Sequence, residues 1–436
     1  MTSTKPNRGQ SPTANKHKLV IVNPGHFHAA LSLHARHPQV SDEVHVYAEE
    51  GSEVDEFLAI VKSFNARSIR PTRWKITAYR GADYLDRLIA EKAGNIAIIA
   101  GQNHTKIATI HRLCEAGFHV LADKPLIIEE AGISLLRQVV SGSPLMFEIM
   151  TGRYEPANRV LKALVDDRDV FGGFRIDKAV PTIEMASVHH LHKTVNGAPL
   201  MRPPWFFDVR MQGEGMMDVT THLIDLAQWL TCDGSPVGMA GDVELMAARQ
   251  WPTKVPRATF ARVTGHDKFP PSLRTEVAGD YLDLLCNAAL ECRLHGIPVS
   301  LESQWALRIP PGGGDTHRTV VRGTKATLIV ERNHGTGFVD RLVVEPEEIA
   351  ANFAVERAIA GLQNLFPGLG YVSKAGSTQI VIPDSLATTH DEHFAQVLDT
   401  FLGYIEKGTS LEILAQTIIA KYGLLVRARQ ASHASD

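Results

Sequence analysis

The chain predicts two fold classes in series: an α/β part built on a doubly wound parallel sheet, then an α+β part with a mostly antiparallel open sheet and helices. Three observations carry this. Between residues 18 and 150, short and uniformly apolar β-branched runs alternate with segments of helical spacing, as strands buried on both faces do. Beyond residue 150, strand-like runs follow one another directly, which suits antiparallel pairing. Two long helical segments then close the chain within 390–436.

In chain order, residues 1–17 are polar and read as a disordered tail. LVIV (19–22) is a strand and 26–37 a helix; VHVYA (44–48) is a strand and 54–64 a helix; KITAY (75–79) is a strand followed by the helix YLDRLIAEK. IAIIA (96–100) and HVLA (119–122) are strands around a helix capped by Gly117. In the second part, 157–166 and 217–230 read as helices. FRIDKAV, VELMAARQW, YLDLLCNAALECRLHG, VSLESQWALRI, RTVVRG, ATLIVER and DRLVVEP read as strands, and 350–385 as loop. The expected units are therefore 18–150, 151–389 and the closing helices 390–436.

With 436 residues, 44% hydrophobic content and a formal charge of −3, the chain has the bulk of a globular protein of two or three domains. It has no basic field for nucleic acid or an anionic membrane, which points to a small-molecule partner. The tail lacks the apolar core of a secretory signal, and no apolar stretch reaches the roughly 20 residues of a membrane span. A cytoplasmic location follows, with Cys114, Cys232, Cys286 and Cys292 reduced, since no CxxC spacing is present. Histidines number 20. The two His of HDEH (390–393) and the GGGDTH stretch (312–317) have no third ligand spaced with them, so no metal site is predicted.

IVNPGHFHAA joins the first strand to the first helix, where a Rossmann-type domain places its glycine turn over a pyrophosphate. Against G-x-G-x-x-G, the three positions are Asn23, Gly25 and His28, with His26 and Phe27 between the last two. Asn tolerates the left-handed conformation and Gly25 allows close backbone approach. His28 is bulky where helix–strand packing normally wants no side chain. Glu49, after the second strand, stands at the spacing of an acid that accepts ribose hydroxyls; Glu50 beside it would repel a 2′-phosphate, favouring NAD over NADP. A Glu-Glu pair that merely caps the strand is the alternative. Gly101, Gln102 and Asn103 follow IAIIA at the same sheet edge, offering a close approach and two amides.

Asn103 followed by EAGFHVLADKP (115–125) resembles the N…EAG-K-HVL-x-EKP stretch of the Gfo/Idh/MocA oxidoreductases. RYEP (153–156) and GEGMMDVTTHLIDLAQW (213–229) extend the resemblance over most of 18–230, the latter similar to GG-x-x-x-D-x-x-x-H-x-x-D. The resemblance implies an NAD(P)-dependent dehydrogenase of sugars, glycosides or polyols, usually a dimer or tetramer. It places Lys124, before a commonly cis Pro125, beside the nicotinamide ribose and the substrate hydroxyl. Asp123 stands where Glu is usual, and Lys106 where many relatives carry His.

Asp218, Thr221, His222 and Asp225 fall at i, i+3, i+4 and i+7, so a helix from Met216 puts them on one face. Such a face is either solvated surface or a site, and the resemblance favours a site. A neutral His suits proton removal from an alcohol near pH 7, Asp218 suits orienting it, and Lys124 suits stabilising an alkoxide. Either Lys124 or His222 is placed to take the proton. Arg153 and Tyr154 are expected to line the cleft. His189, His190, Lys193, Trp205 and Asp208 form a sugar platform or, alternatively, a long loop anchored by Trp205. Two other activities share these residues: redox-neutral chemistry on a retained NAD through a keto intermediate, and a non-catalytic NAD or sugar sensor.

Overall fold

The computed structural model describes residues 16–434 except 143, 178, 196–197, 233–236, 239–240, 348 and 409–410. Most of the expected tail, residues 1–15, lies outside the described residues. Strands β1 (His17–Val22), β2 (Val40–Ala48), β3 (Lys75–Arg80), β4 (Ile96–Ile99), β5 (His119–Asp123) and β6 (Met146–Ile149) form one sheet, all pairs parallel, in the order β3-β2-β1-β4-β5-β6. Helices α1 (His28–Leu31), α2 (Ser52–Ala66), α3 (Tyr84–Glu91), α4 (Lys106–Glu115) and α5 (Ile133–Val140) connect them. Leu19, Val20 and Ile21 of β1 and Ile96, Ala97 and Ile98 of β4 are fully buried, as helices on both faces require. The connections from β1 and β4 leave in opposite directions, which opens a crevice at the carboxyl ends of those strands.

After α6 (Pro156–Asp166) come β7 (Ile183–His192), the short pair β8 (Thr194–Val195) and β9 (Ala198–Pro199), α7 (Val209–Gln212) and α8 (Thr220–Thr231). The chain continues through β10 (Val243–Pro256), α9 (Arg257–Thr264), β11 (Val277–Ala278), β12 (Tyr281–Leu294), β13 (Ile297–Arg308), β14 (Thr316–Arg322), β15 (Ala326–Arg332) and β16 (Arg341–Pro346). It ends with α10 (Ile349–Gly361), β17 (Gly370–Lys374), β18 (Ser377–Val381), α11 (His390–Lys407) and α12 (Glu412–Ala434). A ten-stranded sheet runs β10-β12-β13-β7-β14-β15-β16-β18-β17, with β11 paired to β12. All of its pairs are antiparallel except β13 with β7.

The closing helices return to the first sheet. Phe401 of α11 stacks on Phe147 of β6 at 5.7 Å. On α12, Lys421 reaches Glu148 of β6 at 2.6 Å and Asp225 of α8 at 2.9 Å, while the Tyr422 hydroxyl accepts from Leu126 N at 2.7 Å. These buried polar contacts tie β6, the segment after β5 and α8 to one helix.

Three local expectations fail. The helix expected over 26–37 is only four residues long. Leu33 N and His34 N bond three residues back, to Ala30 O and Leu31 O, and Pro38 disfavours a helical His37. Among its described residues FRIDKAV makes a single bridge, Phe174 to Gly323; Gly172 turns the chain before it at φ 76° and Pro181 beyond it has no N–H for a ladder, and Lys178 lies outside the described residues. The region 350–385 is not loop: α10 and the β17–β18 hairpin fill much of it. Its Gly and Pro sit at element ends, and Gly376 at φ 78° makes the hairpin turn.

Candidate active site

A cavity of about 780 Å³ runs from the carboxyl ends of β1, β4 and β5 to the inner face of the ten-stranded sheet. Its size is that of a small-molecule or cofactor site. The glycine turn forms one end. Asn23 is left-handed at φ 42°, as its position in the turn requires, and its Oδ1 accepts from Glu49 N at 3.3 Å. A Cβ on Gly101 would meet Asn23 O at 2.7 Å and Gly25 N at 3.2 Å, so only glycine permits the two turns to pack. Gly25 N and His26 N both donate to Ala100 O, at 3.0 and 3.1 Å. Gln102 N lies 3.8 Å from the position of a Gly25 Cβ.

Trp205 covers this turn: its Cζ2 lies 3.1 Å from where a Gly25 Cβ would be, and its Nε1 donates to Glu53 Oε1 at 3.3 Å. Glu49 and Glu50 are exposed on the rim, and Glu50 faces Arg80 at 3.8 Å. Arg80 is also paired with Asp55 at 2.6 Å.

At the end of β5 the Lys124–Pro125 bond is cis. Lys124 Nζ donates to Asp218 Oδ1 at 2.7 Å, and both side chains are about nine-tenths buried. Burial alone would push the Asp218 carboxyl up, but the Lys124 ammonium outweighs it and holds the group below the usual range. His222, in the first turn of α8, lines the same wall. Burial first, then the Lys124 charge, pushes its imidazole well below its ordinary value, so it is neutral.

Lys106 explains itself here. Its buried ammonium donates to Asn103 Oδ1 at 2.5 Å, Asp123 O at 2.9 Å and Pro125 O at 3.1 Å, fixing the carbonyls on either side of Lys124. Burial lowers it to about 8. Asn103 completes the frame by donating to Gln212 O at 2.6 Å.

The far wall gathers groups from β7, β13 and the loops that flank them. Asp315 takes Lys193 at 2.5 Å, His190 Nδ1 at 3.0 Å and His189 Nδ1 at 3.4 Å, and these partners hold its carboxyl low despite burial. Buried Arg202 lies over Phe206 at 4.4 Å and Trp305 at 5.0 Å. Sequence reasoning missed Arg202 and weighed the GGGDTH stretch that holds Asp315 only as a metal candidate, since no local period marks either residue for this wall.

Not every expected residue faces this cavity. Asp208 caps α7, accepting from Arg210 N at 3.1 Å and pairing with Arg210 Nε at 2.7 Å. Arg153 grips Asp225 through two bonds of 2.7 Å, and Tyr154 donates to Thr400 Oγ1 at 3.0 Å; both line a separate cavity of about 710 Å³. The single polar face expected on the helix divides, because α8 begins only at Thr220. Asp218 sits in the preceding turn and Thr221 is fully buried against Met217 O, so of the four only Asp218 and His222 face the main cavity.

A third feature was invisible in sequence: His26 Nδ1, His28 Nδ1 and Asp123 Oδ2 converge within 4.8 Å of one another. His28 lies 2.9 Å and His26 3.6 Å from the carboxylate.

A switch-point crevice, a glycine turn and a lysine–carboxylate–histidine wall together define a nucleotide-fold protein of the oxidoreductase class. Comparison with known proteins agrees. Residues 160–433 match the family model described as "Putative oxidoreductase C terminal domain". A crystal structure of a putative oxidoreductase from Parabacteroides merdae is similar at 35% identity, covering 97% of this chain and 98% of that one, with a TM-score of 0.92. The fold is shared with levoglucosan dehydrogenase in complex with NADH, at 15% identity, 96% and 97% coverage and a TM-score of 0.62. It is shared also with a putative myo-inositol dehydrogenase from Sinorhizobium meliloti, at 14% identity, 97% and 98% coverage and a TM-score of 0.56. No curated protein matches the chain. The chain belongs to the family that carries this oxidoreductase C-terminal domain.

Proposed function

We propose that the protein is an NAD-dependent oxidoreductase that moves a hydride between a hydroxyl-bearing carbon of a sugar, glycoside or polyol and nicotinamide. The observation that carries this reading is the Lys124–Asp218 pair beside neutral His222, on the wall of the switch-point crevice. The residues fit a nicotinamide dinucleotide. Gly25 and Gly101 let the two turns pack at the crevice edge, Lys124 and Asp123 border the crevice, and Glu49 and Glu50 stand at the β2 rim where acids disfavour a 2′-phosphate. The Arg80 guanidinium at this rim is committed to Asp55 and Glu50.

When bound, the nicotinamide supplies the hydride acceptor. The chain's own groups handle the proton and the charge. His222, neutral and uncommitted to a strong partner, takes the hydroxyl proton. Lys124, oriented by Asp218, donates to the same oxygen and stabilises the developing alkoxide. His189, Lys193 and Asp315 offer donors and acceptors for further hydroxyls, with Trp305 as an apolar surface beside them. Lys124→Ala and His222→Ala are each expected to lower kcat by about 10²-fold or more, the scale of losing a general acid or base. Wild-type turnover by either variant removes that residue from the mechanism.

One observation favours a second reading, redox-neutral chemistry on a retained cofactor. Trp205 lies across Gly25 and is tied to Glu53, so a dinucleotide at this turn would be capped and slow to exchange. Net NADH production with substrate separates the two readings.

A further inference from the structure

We infer that His26, His28 and Asp123 form a binding site for one divalent first-row transition-metal ion, with its open coordination positions facing the cavity. The inference shares Asp123 and the turn after β1 with the dinucleotide reading, but it rests on the convergence of three side-chain donor atoms, and its test reads metal uptake in the absence of any nucleotide.

Three donor atoms converge from two chain segments: His26 Nδ1 and His28 Nδ1 from the turn after β1, and Asp123 Oδ2 from the end of β5. A hydrogen bond accounts for only part of this. His28 Nδ1 at 2.9 Å from the carboxylate is an ordinary contact. His26 Nδ1 is buried, points at the same oxygen from 3.6 Å, and has no hydrogen-bond partner among the described residues. A buried ring nitrogen left unpaired is costly, and native structures rarely keep one without cause. A cation shared by the three atoms removes that cost.

Packing fixes the ligands in place. The two rings meet edge-on at 4.1 Å, and Phe27 at 4.5 Å and Phe394 at 4.8 Å hold His28 from the sides. Imidazole binds metal through a ring nitrogen lone pair, and both Nδ1 atoms already face the Asp123 carboxylate. Two nitrogens and one carboxylate suit zinc, iron(II) or cobalt(II) far better than magnesium or calcium, which prefer all-oxygen shells. Three protein ligands with an open side are the pattern of a site that accepts an exogenous ligand.

Nearby charges state which ligand. Lys124 is paired with Asp218, and the Lys106 ammonium is held by Asn103 Oδ1 and two backbone carbonyls, so Asp123 alone offsets the charge of the ion and an anionic oxygen entering from the cavity completes the balance. A phosphate or a deprotonated hydroxyl meets that need.

The test uses the untagged full-length protein, stripped with a chelator, desalted and titrated with cobalt(II) chloride. The expected result is about one cobalt per chain with visible absorption bands of a low-symmetry nitrogen–oxygen site. His26→Gln and His28→Gln should each weaken binding by more than the roughly 10–100-fold that loss of an outer-shell partner costs. His26→Gln breaks no hydrogen bond, so its fold can be checked by circular dichroism before titration. His317→Gln, in the neighbouring Glu155–His317–Asp340 group, should bind cobalt like wild type. Wild-type protein that takes up no more cobalt than His26→Gln, or uptake lost in His317→Gln instead, overturns the assignment.

Discussion

His222 is neutral because burial and the Lys124 ammonium both disfavour its charged form. Its folded pKa therefore lies below the ordinary imidazole value of about 6.5. If it is the base, the acid limb of kcat/KM should fall below pH 6.5 and should vanish in His222→Ala; a limb at or above 6.5 contradicts this assignment. Lys106 carries a structural prediction. Lys106→Met leaves Asn103 Oδ1, Asp123 O and Pro125 O without their donor. The expected loss is about 3 kcal/mol, the scale of stranding two or three buried acceptors, read from urea denaturation. At this scale the sequence was legible where chemistry sits in short motifs: DKP and DxxxH brought Lys124, Asp218 and His222 to one wall. It was silent where partners lie far apart, as with His28 and Asp123, 95 residues from each other.

The strands of the first sheet were readable from uniformly apolar runs, because burial on both faces leaves no polar position to confuse the pattern. The turn after β1 was not, since its helix ends by chain reversal towards β2 rather than by any capping residue. Nor was α10, whose Ala-rich sequence is a sound helix former flanked by glycine and proline. Among the elements α12 has the largest mechanical role: Lys421 sits between Glu148 and Asp225, with Arg153 on the far side of Asp225. This network joins β6, α8 and α12 and sets the orientation of the helix that bears His222. Lys421→Met should destabilise the chain by about 3–5 kcal/mol, the cost of breaking one partner out of a buried ion pair. A melting temperature equal to wild type would show that the network is energetically neutral.

For the whole molecule, the fold supplies the placement and the site supplies the chemistry. The parallel sheet brings the glycine turn, Asp123 and Lys124 to one edge; the ten-stranded sheet supplies His189, Trp305 and Asp315; α8 and its preceding turn bring His222 and Asp218 between them. Trp205, from the connection between β9 and α7, reaches back across the dinucleotide turn and closes the assembly. Among the described residues no helix is long and apolar enough to cross a membrane. The proposed activity requires a nicotinamide site that prefers NAD. The most direct measurement is to incubate the purified protein with equal NAD⁺ and NADP⁺, desalt and denature it, and identify the released nucleotide by mass spectrometry. Retained NAD in excess of NADP is the predicted result. Release of neither nucleotide, or of NADP alone, would contradict it.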